Sequence, residues 1–592
     1  MRRPTPLLSA AGATCLLAAS LVSQVGPVAA STAGSGGSVQ PLQRVATVNL
    51  RGLPGATMAQ SGARTLREVE KDAGSQGASV TLPNPATLPV TTSHPGAAGF
   101  SGLNAVQSGR LNGFDVEPPD QGLCAYQGTV MEQVNLAVRV YTDRGTALTR
   151  PVSLNAFFGQ AAPYDPTTKR YGPFLSDPRC YHDAQTGRWY STVLSIDVNA
   201  RTGDFGRHSS LLIAVSATND PTGDYAIFSV DTTNNGKGGG PRLPHCPCFG
   251  DQPRLGADAN GIYVSTDIYP IEGLFNSNGG GLYAVSKTGL TAAASGAGTP
   301  PSVVSIHVGA TKVDGYPANA LQPAQTPPGG SYAPDTEYFL NTPDFNGFAT
   351  MGGQGAHAVV VWALTGTSSL NTATPAVTLT HAMVPSEPYA PPVAARQRSG
   401  PYPLGTSLKE PLPRIESNDD RMQQVVYTGG MLASALNTGV GSGRTATRDG
   451  IAWFVVRPSV ASGGAVSGTI ARQGYVAVAD GSVVFPAVAV NASGAGAMVF
   501  TLSGAGYYPT AAYTRFTMGS GAAAPVHANG LGVAPEDGFT CYPPYSDGTC
   551  RWGDYSAAVA QDASTIVMAT EYIPGPRDTN ANWGTFATRY TP

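Results

Sequence analysis

One short grammar recurs along this chain and limits its fold more than any other feature: a carboxylate, a short apolar strand, a tight turn, then a second strand. Asp177-Pro178-Arg179 runs through Ala184-Gln185-Thr186-Gly187 into Arg188-Trp189-Tyr190, and Asp251-Gln252-Pro253-Arg254 runs through Ala257-Asp258-Ala259-Asn260-Gly261 into Ile262-Tyr263-Val264. Asp554-Tyr555-Ser556 runs through Ala560-Gln561-Asp562-Ala563-Ser564 into Ile566-Val567-Met568. Looser copies start at Asp120, Asp335 and Asp420, and one without the acid starts at Phe485-Pro486-Ala487. Self-similarity at a period of tens of residues marks a repeat architecture; these starts lie roughly 70 residues apart, longer than the roughly 40–50 of a compact propeller blade, so long loops are expected. The runs between are short, β-branched and aromatic, bounded by turn formers, with hardly any helical periodicity. The expected class is all-β: a β-propeller, seven-bladed on the count of starts, over residues 112–592. Two stacked sandwich domains are the alternative.

Composition narrows the function. Only 12% of the 592 residues are charged, Gly 73 and Pro 49 supply many turns, and Lys+Arg 35 against Asp+Glu 38 leaves a formal charge of -3. No basic excess exists to neutralise phosphates, which argues against nucleic acid. Arg2-Arg3, an apolar stretch near 7–22 and Val28-Ala29-Ala30 read as a signal peptide over 1–30. A membrane anchor is the rival, but the run is short for a bilayer span, and no later segment is expected to cross a membrane. Residues 31–111, rich in Ala, Gly, Ser and Pro, read as a flexible leader, with one short strand near 79–82.

Six cysteines remain after the signal: Cys124, Cys180, Cys246, Cys248, Cys541 and Cys550. An even number in an exported chain points to disulfides without fixing their pairing. Cys541 with Cys550 is favoured, Cys124 with Cys180 is compatible, and Cys246 with Cys248 is left. A zinc site from Cys246, Cys248 and His245 is the competing reading of that last pair.

Gly172 to Tyr181, Phe249 to Pro253 with Gly256 to Gly261, and Arg551 to Ser556 with Thr570-Glu571-Tyr572 resemble segments of secreted bacterial proteins with a sialidase-like β-propeller shape. That resemblance covers most of the chain from Phe114 onward. It implies export and fold, with no assigned reaction.

If the starts are innermost strands, their leading residues converge on one polar funnel, the usual place for a propeller to hold a ligand. Asp251, Asp335, Asp420, Asp554 and Tyr555, with Arg179, Arg254 and Arg421, are the ligand-binding candidates. Asp120 or Asp177 as acid, with Glu337 and Tyr338 as base and nucleophile, are the catalytic candidates of a sialidase-like glycoside hydrolase. Hydrogen-bonded turns and local Asp–Arg pairs are the simpler account of the same residues. Asp115, Glu117 and Asp419 offer hard oxygen ligands suited to Ca²⁺, though without EF-hand spacing; no other cofactor is expected. Tyr542, Tyr545 and Trp552 beside the Cys541–Cys550 loop are candidate glycan-facing rings. The combined expectation is a secreted monomer that binds an extracellular glycan or protein, with the hydrolase as alternative.

Overall fold

The computed structural model describes residues 31–32, 37–55, 80–273, 277–343, 355–443, 445–546, 548–576 and 580–592; the expected signal peptide lies outside them. Their strands form antiparallel units of four, consecutive in the chain except in the last, each led by an inner strand. The inner strands are Gly122–Tyr126, Phe174–Asp183, Cys248–Ala257, Gln322–Gln325, Val425–Thr428, Gly481–Val490 and Ala557–Ala560, which head blades 1 to 7 respectively. Each inner strand packs against the next, and that of blade 7 packs against that of blade 1, closing a ring. Blades 4 and 5 are further joined by parallel pairing of their inner strands, Ala324 with Val425 and Gln325 with Val426. The protein is an all-β propeller.

Apolar side chains on both faces of each sheet explain the ring. Trp189 and Leu212 of blade 2 pack on Val138 of blade 1, and Phe228 of blade 2 packs with Ile262 of blade 3. Tyr263 of blade 3 meets Phe339 of blade 4 edge-on, Val361 of blade 4 shares a cluster with Phe454 of blade 5, and Trp453 meets Phe516 of blade 6. Ala489 of blade 6 packs with Met568 of blade 7, and Val567 with Leu123 of blade 1 completes the circle. A sheet buried on both faces needs little charge, which accounts for the composition.

The described parts of the segment expected to be a flexible leader are ordered, which corrects that expectation. Ser38–Pro41 and Gln43–Asn49 extend blades 3 and 2 at their outer edges, and Val90–Thr91 runs parallel to the last strand of blade 6. Ala97–Asn104 is the outer strand of blade 7, pairing antiparallel with Gly584–Tyr590, so the N-terminal part of the chain completes the last blade. This covers edges that would otherwise template aggregation. The Ala/Gly-rich composition hid these strands because small residues are what fit: a Cβ on Gly99 would sit 2.2 Å from the Phe586 ring. Leu103 in this strand is fully buried with Trp552 and Trp583.

Docking of this strand predicts that Leu103→Ala costs about 2–4 kcal/mol, the usual range for a buried leucine truncation. Urea unfolding followed by tryptophan fluorescence measures it; an unchanged midpoint would show that the strand does not support the last blade.

Candidate functional site

The inner strands deliver their leading residues to the propeller axis through a recurring irregularity. Strand register shifts between Ser176 and Arg179, between Asp251 and Arg254, and between Val484 and Ala487, at Asp177-Pro178, Gln252-Pro253 and Phe485-Pro486. Proline cannot donate to a strand ladder and is tolerated at such a bulge. The residue before each proline adopts positive φ, at 59° for Asp177, 47° for Gln252 and 55° for Phe485; Ala320, just before the inner strand of blade 4, has φ 49°. This conformation lifts the residue's N–H out of the ladder in a buried place, where it needs a substitute acceptor.

That acceptor comes from a polar side chain of the preceding blade. Asn135 Oδ1 of blade 1 accepts from Asp177 N (3.0 Å), and Asp177 Oδ2 of blade 2 accepts from Gln252 N (3.2 Å). Asp267 Oδ1 of blade 3 accepts from Ala320 N (2.7 Å), and Asn437 Oδ1 of blade 5 accepts from Phe485 N (2.7 Å). At the closing junction the direction reverses, and Asp120 Oδ1 of blade 1 accepts from Asp554 N at the approach to blade 7 (2.6 Å).

Charge is layered onto this lattice. Arg254 Nη2 donates to Asp267 Oδ2 (2.7 Å) and to Gln252 Oε1 (2.9 Å), and Arg421 Nη1 donates to the same Gln252 oxygen (2.6 Å). Arg421 also chelates Asp419 through Nε (2.7 Å) and Nη2 (2.5 Å). Gln252 Nε2 donates to Asp554 Oδ2 (2.7 Å), Asn418 Nδ2 donates to the other Asp554 oxygen, and Asn135 Nδ2 donates to Asp120 Oδ2 (2.9 Å). Arg179 lies flat on Tyr555, 3.1 Å from the ring centroid, and the Tyr555 hydroxyl donates to Pro178 O (3.3 Å). Burial works to raise the Asp267 carboxyl, but Arg254 and then Arg421 hold it below its ordinary range. Burial likewise opposes the charge on Arg421, and Asp419 overcomes it and raises that guanidinium well above its usual value.

The structure thus brings together Asp120, Asp177, Asp554, Arg254, Arg421 and Asp419, with Arg179 and Tyr555 beside them. Asp251 and Asp420 are buried on the flanks of the same region, Asp251 opposite Asp267 in the blade 3 ladder. Asp335 does not join: it leads the second strand of blade 4, where its carboxylate accepts from Ser368 N (2.6 Å) as a turn former. The inner strand there is Gln322-Pro323-Ala324-Gln325 and has no leading acid. Glu337 and Tyr338 are also elsewhere, and on opposite faces of their strand. Tyr338 meets Tyr427 of blade 5, whereas Glu337 is buried toward Asp258 and Lys287 of blade 3. They do not form a nucleophile–base pair, because adjacent strand residues point apart.

The metal candidates have separate partners. Asp115 Oδ2 accepts from Asn580 N (3.3 Å), Glu117 from the Thr540 N–H and hydroxyl, and Asp419 from Arg421. Asp120, Asp177 and Asp554 do place carboxylate oxygens within 4.8 Å of one another, a hard-oxygen set of the Ca²⁺ type, but protein donors already occupy it. All six cysteines among the described residues are paired, Cys124–Cys180 across blades 1 and 2, Cys246–Cys248 and Cys541–Cys550, so among these residues no thiolate remains for zinc. Tyr542 and Trp552 are buried, with Tyr542 donating to Asp537 Oδ1 (2.6 Å) and Trp552 to Thr501 Oγ1 (3.2 Å); they do not form a glycan platform.

Next to the axis lies an acidic cluster of which the sequence singled out Glu117 alone as a site candidate. Glu117, Glu536 and Glu571 are all buried and lie close enough to repel one another when charged. Burial first, and the negative neighbours second, raise Glu117 and Glu571 well above the carboxylate range, and burial does the same to Glu536.

No protein-family model matches the chain, and no curated protein matches it. Among solved structures, similarity is found to an exo-β-1,3-galactanase from Clostridium thermocellum, 9% identical, covering 72% of this chain and 92% of that one at a TM-score of 0.26. An exo-β-1,3-galactanase from Phanerochaete chrysosporium with galactose is 10% identical, with coverage of 80% and 93% and a TM-score of 0.25. An exo-1,5-α-L-arabinanase from a bovine ruminal metagenomic library is 10% identical, with coverage of 60% and 97% and a TM-score of 0.26.

Two outcomes follow. Asp267→Asn leaves two buried guanidiniums short of their shared carboxylate and should cost about 3–5 kcal/mol, read as a lowered denaturant midpoint; a midpoint within error of wild type would refute the hub. The acidic cluster contributes most when protonated. Because its folded pKa values are raised, that stability is complete below the ordinary carboxylate range and is lost as pH rises through the folded values. Glu536→Gln should therefore flatten the decline of the midpoint between pH 5 and pH 9; parallel wild-type and variant profiles would exclude this origin.

Proposed function

We propose that this chain is an extracellular binding module for an acidic glycan, and that the ligand docks on the rim of the propeller instead of in its axial funnel. The observation that carries this reading is an open pocket of about 450 Å³ on the loops of blades 2 and 3, lined by Arg207, Asn235, Lys237, Arg242, Cys246 and Pro247. Three lining residues are cationic and none is acidic. Lys237 and Arg242 are exposed, while Arg207 is paired with Glu272 at 2.5 Å outside the lining. Ligand pockets commonly span about 300–1,000 Å³, room here for one or two sugar rings.

The pocket is built before a ligand arrives. Asn235 and Arg242 are bridged, Gly236 N donates to Pro241 O (3.1 Å) and Leu243 N to Asn234 O (2.9 Å). The Cys246–Cys248 disulfide ties the loop to the inner strand of blade 3, and Asn278 Nδ2 donates to Pro244 O (2.8 Å). Ordering the loop in advance reduces the entropy lost on binding. Carboxylate or sulfate groups would meet Lys237 and Arg242 as charge-assisted contacts.

The axial acids support a hydrolase less well. Glycoside hydrolysis needs two carboxyl groups facing each other across a space that admits the sugar. Asp120 and Asp177 are buried and hold neighbouring blades by hydrogen bonds, and Glu337 faces away from them.

Retention on immobilised oligogalacturonate and sulfated oligosaccharides, beside neutral galactan, tests the reading. Binding to the acidic ligands should weaken with salt and fall at least about tenfold in the Lys237→Ala, Arg242→Ala double variant. Equal retention by wild type and double variant would reject the rim pocket. Release of reducing ends from any of these glycans would favour the hydrolase instead.

A further inference from the structure

Among the inner strands lies a small cavity of about 20 Å³, with Arg179, Arg254, Gln121, Gln322, Gln325 and Gln424 as its polar lining. Both charged residues on this lining are cations, although acids crowd nearby. Arg254 is only 1% exposed; its Nη2 is engaged by Gln252 and Asp267, while its Nε and Nη1 have no hydrogen-bond acceptor. Arg179 Nε is also without an acceptor, and the face of its guanidinium is taken up by Tyr555. Burial presses the Arg179 pKa below its ordinary value and the neighbouring Arg254 adds to this, against the opposing pull of Tyr555, Asp177 and Asp120.

Buried N–H donors on a charged group are costly when left unpaired. A cavity needs roughly 10–15 Å³ to admit one water-sized occupant, so this one holds a single small sphere and no polyatomic ligand. A water molecule can accept from the free N–H groups, but an anion accepts from charged donors more strongly than a neutral oxygen does. We propose that the cavity is a binding site for a halide-sized monovalent anion, chloride in extracellular fluid, held by the unpartnered N–H groups of Arg179 and Arg254. The site is separate from the rim pocket and uses none of its residues, so either assignment can fail without the other. Its effect is on the fold: the anion supplies the acceptor that the inner strands of blades 2 and 3 lack at the axis, and stabilises the native state by mass action.

The thermal midpoint of the full-length mature protein is measured while chloride or bromide replaces gluconate, an anion too large for the cavity, at constant ionic strength. A saturable rise specific to the halides is expected. Arg179→Met removes the donor while leaving the Arg254–Asp267–Arg421 bonds in place; it should keep the wild-type circular dichroism and lose the halide response. Crystals grown in bromide should show an anomalous peak within hydrogen-bond distance of both guanidiniums. Equal midpoints in gluconate and halide, a halide response retained by Arg179→Met, or water alone at the site in bromide crystals would each overturn the proposal. If Arg179→Met does not fold, the bromide map of the wild-type protein decides.

Discussion

Each backbone N–H lifted from its ladder beside the axis must find an acceptor, and this requirement organises the centre of the propeller. Asn135, Asp177, Asp267 and Asn437 each supply an oxygen to the displaced N–H of the following blade. A bulge in one blade is therefore satisfied only when the preceding blade is in place. This couples neighbours in a way that the apolar faces do not, since hydrophobic packing is non-directional and tolerates sliding. The arginines then cross-link the lattice over longer spans: through Gln252 and Asp267, Arg421 reaches from the approach to blade 5 into blade 3, and Gln252 reaches Asp554 before blade 7. Buried charges of this kind are weak evidence of net stability, while removing one partner leaves the other uncompensated.

Much of this was legible in the sequence, and the reason is the register of the repeat. Asp120, Asp177, Asp554, Arg254 and Arg421 converge because each occupies a comparable place at the start of its unit. The anchor of that register is proline more than the acid. Aligned on Pro178, Pro253 and Pro486, the residues that share a conformation are Asp177, Gln252 and Phe485, so Gln252 takes the place that alignment on acids gives to Asp251. Asp335 was misplaced for the same reason: it leads a strand, but in a blade whose inner strand carries no acid. Asn135, Asp267 and Asn437 give a fainter signal, a lone polar residue at the end of or within a second strand, which a single sequence does not separate from a solvated one.

The outer circumference was the least legible part. Strands Gln43–Asn49 and Ala97–Asn104 do not show strict apolar alternation because their work is backbone pairing along an edge, and their Ala, Gly and Ser content matches low-complexity linkers. Contact with large rings on the neighbouring strand sets the small residues, as at Gly99 against Phe586, and that information lies almost five hundred positions away in the chain. Linking the N-terminal region to blade 7 also joins distant parts of the sequence, which makes closure a long-range step in folding.

A filled hub changes what the axis can do. In a propeller whose inner residues point into open space, convergent acids and arginines form a funnel that a ligand enters. Here the same convergence is spent on joining the blades, and the room left among the inner strands is that of one small sphere. A sugar could enter only by breaking bonds such as Gln252–Asp554 and Arg254–Asp267, exposing buried ions to an incomplete set of partners. The loops are under no such restriction. Unusually long connections between and within the blades, as over Thr232 to Pro247, carry cationic side chains that are free to meet solvent. A centre closed to a sugar and loops open to solvent are two consequences of the same lattice, since joining neighbouring blades at the axis also gives the loops above them a fixed base.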